Sequence, residues 1–266
     1  MTAEIVERVL RSSRYRDVDR GLLERLAAEE LPRSRNTDEA TKRVKRRLHQ
    51  AVGAFRGSRA STPVAVAWTG SMADPAFRAA CAEVMQSHAS TRERVPQLDG
   101  FHQAIWAETG VPDSLMDLGC GLHPLSLPWM GLGTTTILAS DVDERALGVV
   151  GEFLDLAGQP HVVETRDLVA APPAETADVA LLLKLVTTLD RQDPSAATRL
   201  IGALRVRHAV VSFTTRSLGG RGRGMERTYR ERLDRLVLEA GRVRGVTEAS
   251  VPGELVFILE LEPIGA

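Results

Sequence analysis

The chain is poor in cysteine and lysine, and it lacks any long apolar run. Two thiols, Cys81 and Cys120, are too few for a disulfide framework or a cysteine-based zinc site, which favours a reducing, cytoplasmic setting. No metal is expected. No apolar stretch approaches the roughly 20 residues of a membrane span, and Met1-Thr-Ala-Glu-Ile-Val-Glu-Arg8 lacks the form of a signal peptide. The expectation is a cytoplasmic protein without a membrane partner. Internal repeats and low-complexity segments are absent too. The 266 residues, 43% hydrophobic and 26% charged, suit an ordinary globular chain of one large domain, with or without a smaller appendage.

Net charge is −1, but it is unevenly spread. Residues 1–60 hold 15 Lys+Arg against 9 Asp+Glu, a surplus of +6, which leaves −7 on the rest. A basic front on an acidic body points to a polyanionic partner. Apolar residues recur at helical spacing in this front: Ile5, Val6, Val9, Leu10, then Leu22, Leu23, Leu26. Asp19 can cap the second helix and Pro32 ends it. A third helix starts near Asn36, with Val44, Leu48, Ala51 and Phe55 on one stripe. Lys42, Arg43, Lys45, Arg46 and Arg47 cover the rest of its surface. Residues 1–57 read as a small three-helix bundle. Without interleaved acids its basic run is a candidate for phosphate contact, against the alternative of a solvated helix face. No aromatic ladder accompanies it, so single-strand base stacking is not indicated.

Residues 57–75 have linker composition, and a helix is expected from Pro75 to about Ser87. Beyond the helix of Phe101, Ile105 and Trp106 the pattern alternates between strand and helix. Strands are expected at 114–118, 135–140, 161–165, 178–183, 208–214 and 255–261. Helices are expected at Glu144–Ala157, Pro194–Leu204 and Met225–Ala240. Near-continuous apolar runs such as Val179-Ala-Leu-Leu-Leu183 suit strands buried on both faces. A hairpin around Pro252-Gly253 closes the sheet.

The stretch Ser114-Leu-Met-Asp-Leu-Gly-Cys-Gly-Leu-His-Pro124 organises this half. A buried strand runs into Gly119 and Gly121, where glycine permits positive φ and close backbone approach. Position 124 is Pro where a dinucleotide fingerprint has its third glycine. The Asp-x-Gly-x-Gly order instead resembles the first motif of S-adenosylmethionine-dependent methyltransferases. Asp141 then ends the second strand and would take ribose hydroxyls, with Asp143 as competitor. Asp167 ends the third, near adenine, with Leu168 to pack on the ring.

The fourth strand ends Leu183-Lys184-Leu-Val-Thr-Thr-Leu-Asp-Arg-Gln192. It lacks the Asn/Asp-Pro-Pro-aromatic motif of amino-methylating enzymes. Neither cysteine is placed as the nucleophile that carbon-5 methylation requires. A reaction without nucleophile or base remains, such as methylation at guanine N7, where alignment supplies the catalysis. Lys184 could hold the guanine O6 or a phosphate, or simply snorkel from the strand end.

The residues His88-Ala-Ser-Thr-Arg-Glu-Arg94, Met116 to Pro124, Ala139-Ser-Asp-Val-Asp143, Leu182-Leu-Lys184 and Ser217-Leu-Gly-Gly-Arg-Gly-Arg-Gly-Met225 carry a resemblance over essentially the whole chain. It resembles the aminoglycoside-resistance methyltransferases that modify N7 of guanine 1405 in 16S rRNA, and is most similar to those of aminoglycoside-producing actinomycetes. The resemblance implies an α/β, class I methyltransferase fold, with a Rossmann-like sheet over 93–266 behind a helical, basic docking domain and linker over 1–92. It implies S-adenosylmethionine as cofactor, gripped by Phe55, His88, Ala89, Ser90, Arg94, Gly119, Asp141, Asp167, Leu168, Leu183 and Gln192, with Arg94 on the methionine carboxylate. The partner implied is the 30S subunit, and a monomer is the default. Arg221 and Arg223, in a glycine-rich loop, are further candidate phosphate contacts. Methylation of N1 of adenine 1408 stays open, as does a non-catalytic ribosome-binding role. The adenine reaction would favour aromatic clamps, for which Trp106 and Trp129 exist.

Overall fold

A computed structural model describes residues 1–50, 62–214 and 222–264, without the side chains of 62–63 and 222–224. Three helices lead the chain: α1 (Thr2–Leu10), α2 (Arg20–Glu30) and α3 (Thr37–Leu48). Asp19 caps α2 by accepting from Leu22 N at 2.7 Å, and Asn36 caps α3 by accepting from Glu39 N at 2.9 Å. Each cap satisfies one of the orphan N–H groups of a first turn. Ile5, Val6, Val9, Leu22, Leu23, Leu26, Val44 and Leu48 are buried together as the bundle core. Ala51 and Phe55 lie outside the described residues.

One expectation about this bundle fails. Its basic run is partly neutralised, by acids that come from the neighbouring helix rather than from the run itself. Glu30 of α2 accepts from Arg43 and Arg47, and Glu29 from Arg47. Sequence spacing within α3 could not reveal a cross-helix pairing. Lys42 and Arg46 are exposed and Lys45 is half-buried.

Four helices follow: α4 (Thr62–Ala67), α5 (Pro75–Gln86), α6 (Ala89–Arg92) and α7 (Leu98–Thr109). Then come β1 (Ser114–Leu118), α8 (Leu127–Met130), β2 (Thr136–Asp141), α9 (Glu144–Ala157), β3 (His161–Thr165) and β4 (Thr176–Leu183). The chain continues through α10 (Val186–Asp190), α11 (Ala196–Ala203), β5 (Arg205–Thr214), α12 (Gly222–Ala240), β6 (Val243–Ala249) and β7 (Glu254–Leu261). The sheet order is β3-β2-β1-β4-β5-β7-β6. All pairs are parallel except those of β7, which runs antiparallel to β5 and β6. The closing hairpin is present, and β6 is a strand the apolar pattern did not reveal, because most of its residues are exposed or half-buried.

Alternation along β4 feeds both faces. Val179 and Leu181 pack with α5, α7 and α9, while Ala180 and Leu182 pack with α11 and α12. Val64, Phe77, Cys81, Val84 and Met85 share the first of these cores. Among the described residues no helix is long and apolar enough to cross a membrane. Arg223 sits in the first turn of α12 rather than in a loop, because that helix begins three residues before the expected Met225.

Candidate functional site

Strand β1 ends in two left-handed glycines, Gly119 (φ 62°) and Gly121 (φ 52°). A Cβ at Gly119 would lie 2.7 Å from Leu185 Cδ1, and one at Gly121 would lie 3.0 Å from His88 Cε1. Both positive φ and close approach therefore require glycine here. Beyond this turn opens a cleft of about 940 Å³ of empty space, its mouth included. It lies outside the carboxyl ends of the parallel strands, where such sheets bind ligands.

Three acids end three successive strands at this cleft. Asp141 holds the turn itself: its carboxylate accepts from Gly121 N at 2.8 Å, Val142 N at 2.7 Å and Asp143 N at 2.9 Å. Burial pushes its carboxyl above the ordinary Asp value, against the pull of those N–H groups. Asp143, the competitor, caps α9 through Arg145 N and Ala146 N. Asp167 is held by Arg25 of α2, whose Nε donates to Oδ2 at 2.6 Å and Nη2 to Oδ1 at 3.2 Å.

Asp117 is buried and accepts from His123 Nδ1 at 2.7 Å. A carboxylate only accepts, so a neutral His123 would carry its proton on Nδ1 and accept at Nε2. His102 Nε2, 3.2 Å away, is then the donor. That leaves His102 Nδ1 as a bare lone pair, in keeping with its lack of any partner in the core. These tautomers are assigned from the network. They form one directed wire from α7 through the turn to the cleft wall.

At the other end of the cleft Arg94 is 2% exposed. Its Nε and Nη2 donate to Glu254 of β7 at 3.2 and 2.6 Å, and its guanidinium lies 4.4 Å from the Phe101 ring centroid. Ser212 donates to the same Glu254 and also accepts from Lys184 N at 3.1 Å. Lys184 has φ 59°, the only positive value at a non-glycine among the described residues. Its Nζ donates to Ser90 O at 3.0 Å and to Glu93 Oε2 at 2.7 Å. A strained backbone at a strand end, over-determined by neighbours, makes Lys184 a candidate functional position.

The cleft is lined by His88, Ser90, Arg94, Gly119, Asp141, Asp167, Leu168, Leu183, Lys184 and Gln192. Ala89 lies in α6 between two lining residues but is not part of the wall. Phe55 and Arg221 are outside the described residues, as is the Arg223 side chain. Burial pushes His88 down to about 4 and Cys120 well above the ordinary thiol, so the ring is neutral and the thiol protonated at physiological pH. Trp106 is buried and donates to Met130 O at 2.7 Å, and Trp129 packs against the same core under Arg78. Neither lines the cleft, so among the described residues no aromatic clamp is brought there. Sequence reasoning missed Arg25, Glu93, His102, His123 and Glu254. Arg25 and Glu254 are separated by 142 and 160 residues from the groups they hold, and no local pattern announces such pairs. His123, inside the turn motif, and Glu93, inside the His88–Arg94 motif, were the ones with a readable signal.

The donors suit a nucleoside-bearing amino acid: acids at one end, a guanidinium edge at the other, and a close-approach glycine turn between. Residues 11–258 match the family model described as Ribosomal RNA methyltransferase (FmrO). A 16S rRNA (guanine(1405)-N(7))-methyltransferase of Frankia casuarinae is 41% identical over 262 residues, 95% of this chain and 91% of the relative. One of the same name from Micromonospora rosea is 35% identical over 268 residues, 96% and 95% of the two chains. Among solved structures, 16S rRNA methyltransferase RmtF in complex with S-adenosyl-L-homocysteine is similar at TM-score 0.83 and 33% identity, covering 98% of each chain. The architecture is thus the α/β, Rossmann-like class I methyltransferase fold. By sequence and by fold, this chain belongs to the ribosomal RNA methyltransferase (FmrO) family.

Proposed function

We propose that this enzyme methylates N7 of guanine 1405 in the 16S rRNA of the assembled 30S subunit, and so confers aminoglycoside resistance. The observation that carries the reading is the near-full-length match to relatives named for that reaction. When bound, S-adenosylmethionine supplies an electrophilic methyl group and leaves as S-adenosylhomocysteine. The chain's own residues bind and align. Arg94, with one edge on Glu254, offers its Nη1 edge to the methionine carboxylate. Asp141 faces the ribose, while Asp167, Leu168 and Gln192 face adenine. Gly119, His88, Ser90 and Leu183 complete the wall. Lys184 positions the target through guanine O6 or a neighbouring phosphate.

Guanine N7 has no proton to remove, which agrees with a neutral His88 and a protonated Cys120. Bringing the base to the cleft requires unstacking it, at a cost of a few kcal/mol. Residues 1–92 would dock on the subunit, using Lys42, Lys45 and Arg46 on phosphates, with Arg43 and Arg47 fixed in ion pairs. Residues 93–266 would carry the reaction. A cytoplasmic monomer belongs to the same proposal, because its target is large and asymmetric.

The test is transfer of labelled methyl to 30S subunits, 50S subunits and naked 16S rRNA, followed by borohydride–aniline cleavage mapping. Label on 30S with cleavage at guanine 1405 is the expected result. Label without cleavage would mean an acceptor other than N7 and sink the reading.

A further inference from the structure

The three leading helices do not stand apart from the cleft. They are tied to each of three loops that build it. Asp19 N donates to Val142 O at 2.9 Å and Glu144 N to Asp17 O at 3.0 Å, so the chain entering α2 pairs with the loop after Asp141. Arg25 of α2 grips Asp167 in the loop after β3 with two bonds, and the same Nη2 donates to Gln192 Oε1 at 2.9 Å. Arg47 of α3 donates to Gln192 O at 3.1 Å. Behind them, Arg25 Nη1 donates to Glu29 at 3.0 Å, and Glu29 also receives Arg47. One guanidinium thus orients two side chains of the cleft wall that belong to different loops.

The electron-pair count of Asp167 makes this specific. Oδ1 accepts from Arg25 Nη2 and from Val169 N at 3.1 Å, while Oδ2 accepts from Arg25 Nε. One acceptor position on Oδ2 is left for a ligand donor, and Arg25 decides where it points. A side chain oriented before binding saves the ligand the cost of ordering it. Any partner that shifts α2 or α3 shifts that acceptor too.

We propose that Arg25 is a positioning residue linking cofactor binding to rRNA docking through the Arg25–Asp167–Gln192 clasp. The docked partner rests on the function proposed above; the clasp does not. Linkage is reciprocal: the factor by which the subunit changes cofactor affinity is the factor by which cofactor changes subunit affinity. A merely structural ion pair between helix and sheet would instead lower stability and leave the affinity of the folded protein unchanged.

The experiment uses the full chain. S-adenosylhomocysteine is titrated calorimetrically into wild type, Arg25→Met, Arg25→Lys, Asp167→Asn and the Arg25→Met/Asp167→Asn double variant, below each protein's melting temperature. 30S binding is then measured with and without S-adenosylhomocysteine. Expected are a loss of at least about fivefold in Arg25→Met, a smaller loss in Arg25→Lys, and a double variant no weaker than Asp167→Asn alone. Saturating ligand should change wild-type subunit affinity by a similar factor, and Arg25→Met should bring that factor close to one. A folded Arg25→Met that binds S-adenosylhomocysteine within about twofold of wild type overturns the clasp, even where 30S methylation proceeds. Wild-type subunit binding that ignores the ligand overturns the linkage. A chain whose ligand affinity depends on Arg25 but which methylates no rRNA overturns the proposed function and leaves the clasp standing.

Discussion

Arg94 and Glu254 form a fully buried, two-bond ion pair, 2.6 Å at its shorter contact, between the segment after α6 and the first residue of β7. Removing one partner strands the other's charge in the core. Glu254→Ala should cost about 3–5 kcal/mol in denaturant unfolding, and Glu254→Gln less. Burial raises the Glu254 carboxyl, but the charges of Arg94 and Lys184 and the bonds from Arg94 and Ser212 outweigh it and hold it below the ordinary range. A depressed carboxyl stabilises the fold above the unfolded value of about 4.3. Its contribution disappears as pH falls through the lower, folded value. Wild type should therefore lose more stability than Glu254→Gln below about pH 4.3. Equal acid sensitivity would refute this.

Gly119 and Gly158 separate backbone strain from steric closure of the cleft. Both have positive φ, 62° and 65°, but a Cβ at Gly158 meets nothing within 4 Å, whereas one at Gly119 runs into Leu185. Each alanine variant should lose about 1–2 kcal/mol of stability from the left-handed backbone. Only Gly119→Ala should also weaken S-adenosylhomocysteine binding in calorimetry, because Leu185 lines the cleft.

Lys184 carries two separable properties, a cation and a strained backbone. Lys184→Ala and Lys184→Gly both remove the bonds to Ser90 and Glu93, so both should lose methyl transfer. Glycine relieves φ 59°, so Lys184→Gly should melt higher, by about 1 kcal/mol in stability. Equal stability would mean that the left-handed conformation costs nothing there.

His88 should stay neutral through the physiological range. Burial lowers it to about 4, with Asp143 opposing and Arg92 assisting. The unfolded ring takes up a proton near 6.5 and the folded one resists until about 4. The unfolded state binds more protons across that window, so stability falls as pH drops through it. Ring NMR signals of His88 unchanged between pH 8 and 6 are expected, and His88→Gln should flatten the stability loss between pH 6.5 and 4. A ring titrating near 6.5 would contradict the burial argument.

The elements were legible where physics is local. Asp19 and Asn36 cap their helices, β1 to β3 follow from runs ended by acids and β4 from its apolar run, and the Gly119–Gly121 turn follows from what only glycine tolerates. Strand β6 was not legible, because a mostly exposed hairpin partner carries no apolar pattern. The basic run of α3 was misjudged for a related reason, since Glu29 and Glu30 that neutralise Arg43 and Arg47 sit on another helix.

By itself, the sequence determined the alternating α/β plan, the position of the glycine turn and the asymmetry of charge, since periodicity, glycine and composition act over a few residues. Only the tertiary structure decided which charges remain for a ligand. Arg94 faces Glu254, Lys184 faces Glu93, and Asp167 faces Arg25, pairs made by folding between distant segments. The physical reason is that burying a charge demands a partner, and which partner arrives depends on packing that no local stretch contains.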